Sequence, residues 1–334
     1  MTAVPAGRPA SSPVYAGIDL GATKIEVVIT GADMVAAAQA RAATPVRGGP
    51  AAVVAAIEGA VTEALAASPH QKLTAAGAGV PGKVDSATGA VAKSPNIRGW
   101  RASYPLRSEL EARLGVPVAV DNDVRTALLG EHRLGAAMPY RDVLAVWFGT
   151  GVGGSLLLDG VIRRGRLGAC GEIGHACAVP GGRRCECGRR GCLEAYAGRA
   201  SMERRARERA DRGDKTILFT LMKKAGRTRL TSGVIARSLD QGDRLANELI
   251  NDAVRAAGPV IASAVNVIDV DAVVIGGGLG SRLGQPFARR VHRAMQPHLL
   301  NDGRESVPVI AAAFGDLSGA LGGVVLAAER VAAG

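Results

Sequence analysis

Val14-Tyr15-Ala16-Gly17-Ile18-Asp19-Leu20-Gly21-Ala22-Thr23-Lys24-Ile25-Glu26-Val27-Val28-Ile29 reads as two β-rich runs on either side of a glycine-containing turn, which predicts a hairpin. Asp19 ends the first run, and the turn from Gly21 to Lys24 offers backbone N–H groups and the Thr23 hydroxyl. Such a turn can cradle phosphate while a carboxylate holds hydrated Mg²⁺. Alone the signal is weak, because many hairpins place Gly and Asp at the turn. A second copy strengthens it: Val143-Leu144-Ala145-Val146-Trp147-Phe148-Gly149-Thr150-Gly151-Val152-Gly153-Gly154-Ser155-Leu156-Leu157-Leu158 repeats strand, Gly/Thr turn, strand. The pair predicts a duplicated fold with a phosphate loop in each half, although a tight turn without ligand also accounts for Thr150 and Gly151. A third cluster, Gly276-Gly277-Gly278, follows the apolar run Ala272–Ile275. It reads as close backbone approach to a nucleotide or as a plain strand-to-helix turn. Together the three loops favour a nucleotide site.

The rest of the chain fills in an α/β pattern. An Ala-rich amphipathic helix is expected over 50–67, an apolar strand over 73–80, and an irregular polar loop from Ser94 to Trp100. A helix over 105–114 and a buried strand over 116–120 lead to Asp121-Asn122-Asp123, ahead of a helical pattern over 124–134. Polar side chains at the carboxyl end of a strand are where α/β proteins usually meet ligands. Asn122 or Asp123 can equally be the helix N-cap, and a carboxylate here can take a proton from an attacking hydroxyl. A charged helix is expected over 203–212 with a solvated face. A long amphipathic pattern over 244–267 should kink or break at Pro259, and a last helix covers 317–331. Strands and helices alternate through both halves, which gives an α/β fold with two lobes.

All 5 cysteines lie between Cys170 and Cys192. His175, Cys185, Cys187 and Cys192, on a glycine-rich loop, make a tetrahedral Cys₃His set suited to structural Zn²⁺. An iron–sulfur centre suits these ligands less well, and a disulfide pair or buried thiols are the plainer alternatives. Cys170 and Cys177 are left over as small core residues. Glu172 and Glu194 are poor zinc ligands beside thiolates, which leaves them for hydrogen bonding to something polar.

Bulk properties narrow the function. The chain has 334 residues, 47% hydrophobic and 3% aromatic, with a net charge of +11. The charge comes mostly from arginine, but arginines alternate with acids, as in Glu203–Arg209, which suits a solvated helix face better than a nucleic-acid groove. So few aromatics argue against stacking on single strands. With no signal-peptide core and no uncharged run long enough to span a bilayer, a cytoplasmic chain with reduced thiols is expected.

With these residues assembled, the chain resembles the ROK family of repressors and sugar kinases, on the two-lobed actin-like (duplicated ribonuclease H-like) fold. The resemblance runs from Val14 onward. Its marks are Asp19–Lys24, Gly79-Val80-Pro81-Gly82, Ser94-Pro95-Asn96, Asn122-Asp123, Gly149-Thr150-Gly151, Gly171–His175, the run Cys185–Glu194, and Gly276–Gly278. The Pro/Ser/Ala composition of residues 1–13 predicts a disordered tail, and the resemblance implies a small lobe over 14–122 on which a helix over 315–334 packs, and a large lobe over 123–314 with a zinc loop over 175–192. It further implies ATP-dependent phosphorylation of a sugar hydroxyl, usually the 6-hydroxyl of a hexose, by a homodimer or homotetramer. Asp123 would be the general base. Asn96, Asn122, Glu172, His175 and Glu194 would hold sugar hydroxyls, with His175 also on structural Zn²⁺. Asp19, Gly21, Ala22, Thr23, Lys24, Thr150 and Gly151 would grip phosphates and Mg²⁺, with Gly276, Gly277 and Gly278 near the adenosine.

Two departures from the family pattern bear on the substrate. Ala22 stands where a second glycine is usual; if that position has φ > 0, a Cβ there costs about 1 kcal/mol or more. Arg98 stands where proline is more common. The acceptor can therefore be glucose, another hexose, an aminosugar such as N-acetylmannosamine or kanosamine, or a cyclitol. A sugar-responsive DNA-binding repressor would need a winged helix-turn-helix, for which Met1–Pro13 is too short.

Overall fold

The alternation of side chains along the first hairpin decides what covers each face of its sheet. The computed structural model describes residues 12–70, 72–92, 94, 97, 99–300, 303 and 306–333, so Asn96, Arg98 and the tail up to residue 11 lie outside the described residues. In β1 (Tyr15–Leu20), Ala16, Ile18 and Leu20 join a buried cluster with Val53, Ile57 and Val61 of α1 (Gly49–Ala66). Tyr15 belongs to a separate cluster with Ala75, Val324 and Ala327, the last two on the helix that closes the chain. With both faces covered, the strand is apolar almost throughout. Gly17 and Gly77 set how close that helix lies. A methyl group on Gly17 would stand 1.8 Å from the Ala320 carbonyl oxygen, and one on Gly77 would stand 2.0 Å from that of Gly323. Helix backbone rests on sheet backbone there, and only glycine allows it.

β1 pairs antiparallel with β2 (Lys24–Thr30) and β2 with β3 (Ala36–Ala43). On its other edge β1 runs parallel to β4 (Ala75–Val80), and β4 to β5 (Val118–Asn122). The second sheet repeats this. β6 (Val143–Phe148) is antiparallel to β7 (Val152–Leu158), which is antiparallel to β8 (Val161–Arg163). β6 is parallel to β9 (Ala272–Gly276), and β9 to β10 (Val309–Ala311). The orders β3-β2-β1-β4-β5 and β8-β7-β6-β9-β10 are the same sheet built twice. The duplication expected from two hairpins is thus a duplication of whole sheets.

The remaining helices are α2 (Leu106–Leu114), α3 (Asp123–Leu134), α4 (Glu194–Ala197), α5 (Arg199–Ala210), α6 (Leu218–Lys224), α7 (Ser232–Asp240), α8 (Arg244–Ile268), α9 (Gly277–Met295) and α10 (Ser318–Ala332). Two compact units result: residues up to Thr126 together with those from Gly319 onward, and Ala127–Ser318. The division falls inside α3 and again at the start of α10. In the second unit the buried carboxylate of Glu131 accepts hydrogen bonds from the backbone of Ala136, Ala313 and Phe314 and from the Ser318 hydroxyl. Four donors satisfy the charge, so it fastens α3 to the segment that leads into α10.

Three local expectations need correcting. α8 runs unbroken through Pro259. The proline ring leaves the carbonyl of Arg255 without its helical N–H, but Arg255 is an exposed residue, and the buried stripe keeps the helix whole. The break comes in α9, where Gly284 adopts φ 59, ψ −153 just before Gln285-Pro286. Glu203, expected on a solvated face, is only 5% exposed and is held by Arg207, Arg229 and the Leu230 N–H. Cys177, expected in the core, is exposed. By length and composition α1 could cross a membrane, yet it carries Glu58 and Glu63 and lays Val53, Ile57 and Val61 into the core of the first unit.

Candidate active site

In the first unit, β5 delivers Asp121-Asn122-Asp123 to the start of α3, and the three side chains take different duties. Asp121 turns inward: its Oδ1 accepts from Arg125 Nε at 2.7 Å, with both side chains buried. The Asn122 Oδ1 accepts from the backbone of Val124 and Arg125 at 3.0 and 3.3 Å, which makes it the cap of α3. Its Nδ2 donates to the Gly82 carbonyl at 3.3 Å. Asp123 accepts a backbone hydrogen bond at Oδ1 from Val124 N–H at 3.0 Å, and its own N–H and the Asn122 side chain also act on the carboxylate. Burial raises the Asp123 pKa above the ordinary carboxylate value, against the opposing pull of the Val124 and Asp123 N–H groups, the Asn122 side chain and the Arg125 charge. The residue is still half-exposed, so the carboxylate is desolvated by its recess and not sealed.

Asp19, one residue before the end of β1, lies beside the first turn of α10; a methyl on Gly319 would stand 2.5 Å from its Cγ. The positive end of a helix favours a carboxylate there. The following turn closes with Gly21 N–H to Lys24 C=O at 2.8 Å, and Thr44 braces it by donating from Oγ1 to the Gly21 carbonyl at 2.7 Å. Thr23 is exposed, and the Lys24 ammonium lies 3.1 Å from Glu26. Among the described residues, only Met34, Asp159 and Asp269 have positive φ without being glycine. Ala22 therefore has ordinary backbone, and the strain that a Cβ would bring at φ > 0 does not arise.

In the second unit, Glu194 opens α4 beneath the turn Gly149–Gly151. Its Oε2 accepts from the Val152 N–H at 2.9 Å. A methyl on Gly151 would stand 2.2 Å from that oxygen, so this glycine makes room for the carboxylate. The turn closes with Gly149 N–H to Gly151 C=O at 2.9 Å, and the start of α5 docks on it through Arg199 N–H to Gly149 C=O and Ala200 N–H to Thr150 C=O. The third loop is the β9–α9 junction. Gly277 has φ 77, and a methyl there would meet the Phe148 carbonyl oxygen at 2.7 Å. Gly276 lies against the Trp147 ring, 2.6 Å from where its Cβ would be. Glu172 is exposed at the head of the short 3₁₀ turn Ile173–His175.

That turn brings His175 to Cys185, Cys187 and Cys192, whose ligand atoms all lie within 4.8 Å of one another. The Cys187 and Cys192 sulfurs are 3.6 Å apart, and Cys185 Sγ is 3.8 Å from His175 Nδ1. A tetrahedron with Zn–S bonds of about 2.3 Å has edges of about 3.8 Å, whereas a disulfide needs about 2 Å. All the cysteines are free, which removes the disulfide alternative. Hydrogen bonds from Arg189, backbone first and guanidinium second, pull the Cys187 thiol down to about 6, while burial pushes Cys185 up to about 12. Three sulfurs so crowded call for a cation, and the set fits Zn²⁺. Nδ1 faces the sulfurs, so Nε2 is the ring atom left for another partner. Cys185 Sγ also lies 3.7 Å from Glu194 Oε1, which ties the zinc loop to the carboxylate under the second turn.

Some residues of this region give no sequence signal. Arg199 donates from Nη2 to Thr150 Oγ1 at 2.8 Å and from Nη1 to Ser232 Oγ at 3.1 Å. Within the sequence it is one arginine among many.

Two mixed sheets of one strand order, each opening on a hairpin with a glycine turn, with a Cys₃His loop in the second unit, define the α/β sugar-kinase fold. The sequence model of the ROK family matches residues 15–330, and the chain belongs to that family. It is 32% identical over 315 residues to a glucokinase of Streptomyces coelicolor, covering 94% of this chain and 97% of the relative. It superposes with a TM-score of 0.83 on a ROK family glucokinase of Streptomyces griseus in complex with glucose and AMPPNP, at 32% identity, with 95% of this chain and 99% of that chain covered. It is also 30% identical over 236 residues to an N-acetylglucosamine repressor of Escherichia coli O6:H1, covering 69% of this chain and 54% of the repressor.

Proposed function

We propose that this chain is an ATP-dependent sugar kinase acting on a hexose hydroxyl, with the 6-hydroxyl of glucose as first choice. The observation that carries the reading is Asp123: it stands half-exposed at the carboxyl end of a strand, while Asp121 is held in a buried ion pair and the Asn122 oxygen caps the helix. The sugar oxygen attacks the γ-phosphorus, the bond from that phosphorus to the β,γ-bridging oxygen breaks, and ADP departs. Asp123 takes the hydroxyl proton and passes it to solvent. Most of the acceleration comes from positioning and charge neutralisation.

In the first unit, Asn96 and Asn122 hold sugar hydroxyls, and the Gly21–Lys24 turn holds phosphate. Asp19 would hold hydrated Mg²⁺, which when bound neutralises phosphate charge. In the second unit, Glu172, His175 Nε2 and Glu194 hold hydroxyls, Thr150 and Gly151 hold phosphate, and Gly276–Gly278 lie by the adenosine. His175 Nδ1 with Cys185, Cys187 and Cys192 would hold Zn²⁺, which fixes the imidazole tautomer and orientation. A cytoplasmic homodimer or homotetramer suits the reduced thiols and the family.

ADP release with MgATP, measured across glucose, mannose, fructose, glucosamine, N-acetylmannosamine, kanosamine and a cyclitol, tests the reading. Turnover on glucose well above the rest is expected. A better acceptor would move the assignment to that sugar, and silence with all of them would remove the kinase reading.

A further inference from the structure

Arg199 is the first residue of α5, and its guanidinium sits in surroundings of the wrong sign for a cation. Its two hydrogen bonds go to hydroxyls, Thr150 Oγ1 and Ser232 Oγ. Ser232 opens α7, after the Thr231 cap. Gly278 lies in the first turn of α9, and a methyl there would stand 3.5 Å from Ser232 Oγ and 3.9 Å from Arg199 Nη1. Three helix N-termini, each with partial positive charge, thus meet at one guanidinium. Hydroxyls solvate a cation without neutralising it, and no carboxylate among the described residues forms an ion pair with it. Burial is the largest cause holding the Arg199 pKa below its ordinary value and Arg229 adds to it, while Glu203 and Asp316 pull the other way from a distance. The missing charge is an anion. Thr150 and Gly278 belong to the second and third glycine loops, two of the three that the kinase reading gives to the nucleotide.

We propose that Arg199 is a further substrate-positioning residue: its guanidinium binds the phosphate chain of the nucleoside triphosphate and the diphosphate that leaves. The hydroxyl bonds occupy two of its five N–H donors, and the rest are available for phosphate oxygens. Thr150 and Ser232 hold the planar fork in place before the nucleotide arrives. The inference rests on the proposed kinase function.

The test compares the zinc-loaded full chain with Arg199→Gln and Arg199→Lys. With Gln, KM for MgATP should rise about 10- to 100-fold, as for a lost charge-assisted phosphate contact, and KM for the sugar should stay within about twofold. Lys should recover part of the loss. Calorimetric Kd for MgADP should rise by a similar factor. The nucleotide-free Tm should stay level or rise, because the removed cation has no counter-charge. Unchanged KM for MgATP and unchanged Kd for MgADP would overturn the proposal, as would a fall in Tm with both KM values raised alike. If the wild type phosphorylates no sugar, the kinase reading fails on its own, and MgADP calorimetry still decides. Tighter binding by wild type than by Arg199→Gln upholds the role of Arg199, and equal or undetectable binding overturns it.

Discussion

The two hairpins begin alike and are armed differently. Pairing ends at Leu20↔Ile25 in the first and at Phe148↔Val152 in the second, so the second turn is one residue tighter. One residue before each turn's flanking strand end stands Asp19 in the first copy and Trp147 in the second. Where the first copy re-enters its strand at Lys24, the second does so at Val152. The first hairpin therefore carries its charges in its own strands. The second is neutral, and its charges come from elsewhere in the chain: Glu194 from α4 and Arg199 from α5. A duplicated scaffold can thus keep its strand order while its turn bonds and polar groups change, because the sheet is held by strand pairing that does not depend on which side chains arm the turn.

The largest test of that contrast is Asp123→Asn, which removes a charge supplied by the first unit. It should cut kcat by about 100- to 10,000-fold in a coupled ADP assay with sugar KM little changed. Because burial raises the pKa of Asp123, the folded state holds this proton more tightly than the unfolded chain. The carboxylate then costs stability at neutral pH and the cost vanishes as pH falls through the raised pKa, so the Asn variant should melt no lower than wild type at pH 7. The same shift places the acid limb of the kcat/KM profile above the usual aspartate range, and the variant should lack that limb.

Next in size is Cys187→Ser, which should lower zinc to well under one per chain by elemental analysis. The folded state should lose several kcal/mol, since metal binding is part of the folding free energy. Gly151→Ala follows: the methyl must displace Glu194 Oε2, and a cost of about 1–3 kcal/mol with raised sugar KM is expected from melting and steady-state kinetics. Ala22→Gly, at a comparable place in the other turn, is the smallest. Ordinary φ at Ala22 means that glycine only loosens the unfolded chain, so a loss of about 0.4–1 kcal/mol in chemical denaturation with kcat within twofold is expected. Equal effects of the last two substitutions would erase the distinction between the turns.

What the sequence showed depended on how far apart the cooperating residues lie. Hairpins, glycine turns and a Cys₃His run are local, and each reads directly from spacing. The clamp at Glu131 joins α3 to backbone more than a hundred residues on, and nothing near Glu131 announces it. Glu203 looked solvated because its own helix is rich in arginine, yet one of its partners is Arg229. Pro259 is a poor guide because the buried stripe around it holds the helix together and Arg255, whose carbonyl it leaves without a partner, is an exposed residue; the break in α9 falls instead at Gly284, near Pro286. Arg199 was invisible for a related reason: its surroundings are helix starts assembled from three distant segments.

The contact of α10 with Gly17 and Gly77 has a consequence for how the protein is made. A ribosome delivers the first sheet early, but the helix that covers the Tyr15 and Ala75 face of it is synthesised only after the whole second unit. Until then an apolar sheet face waits uncovered while the whole second unit emerges and folds. The nascent first half is therefore the stage most open to aggregation and most in need of a chaperone, and the native first unit is completed only when α10 leaves the exit tunnel.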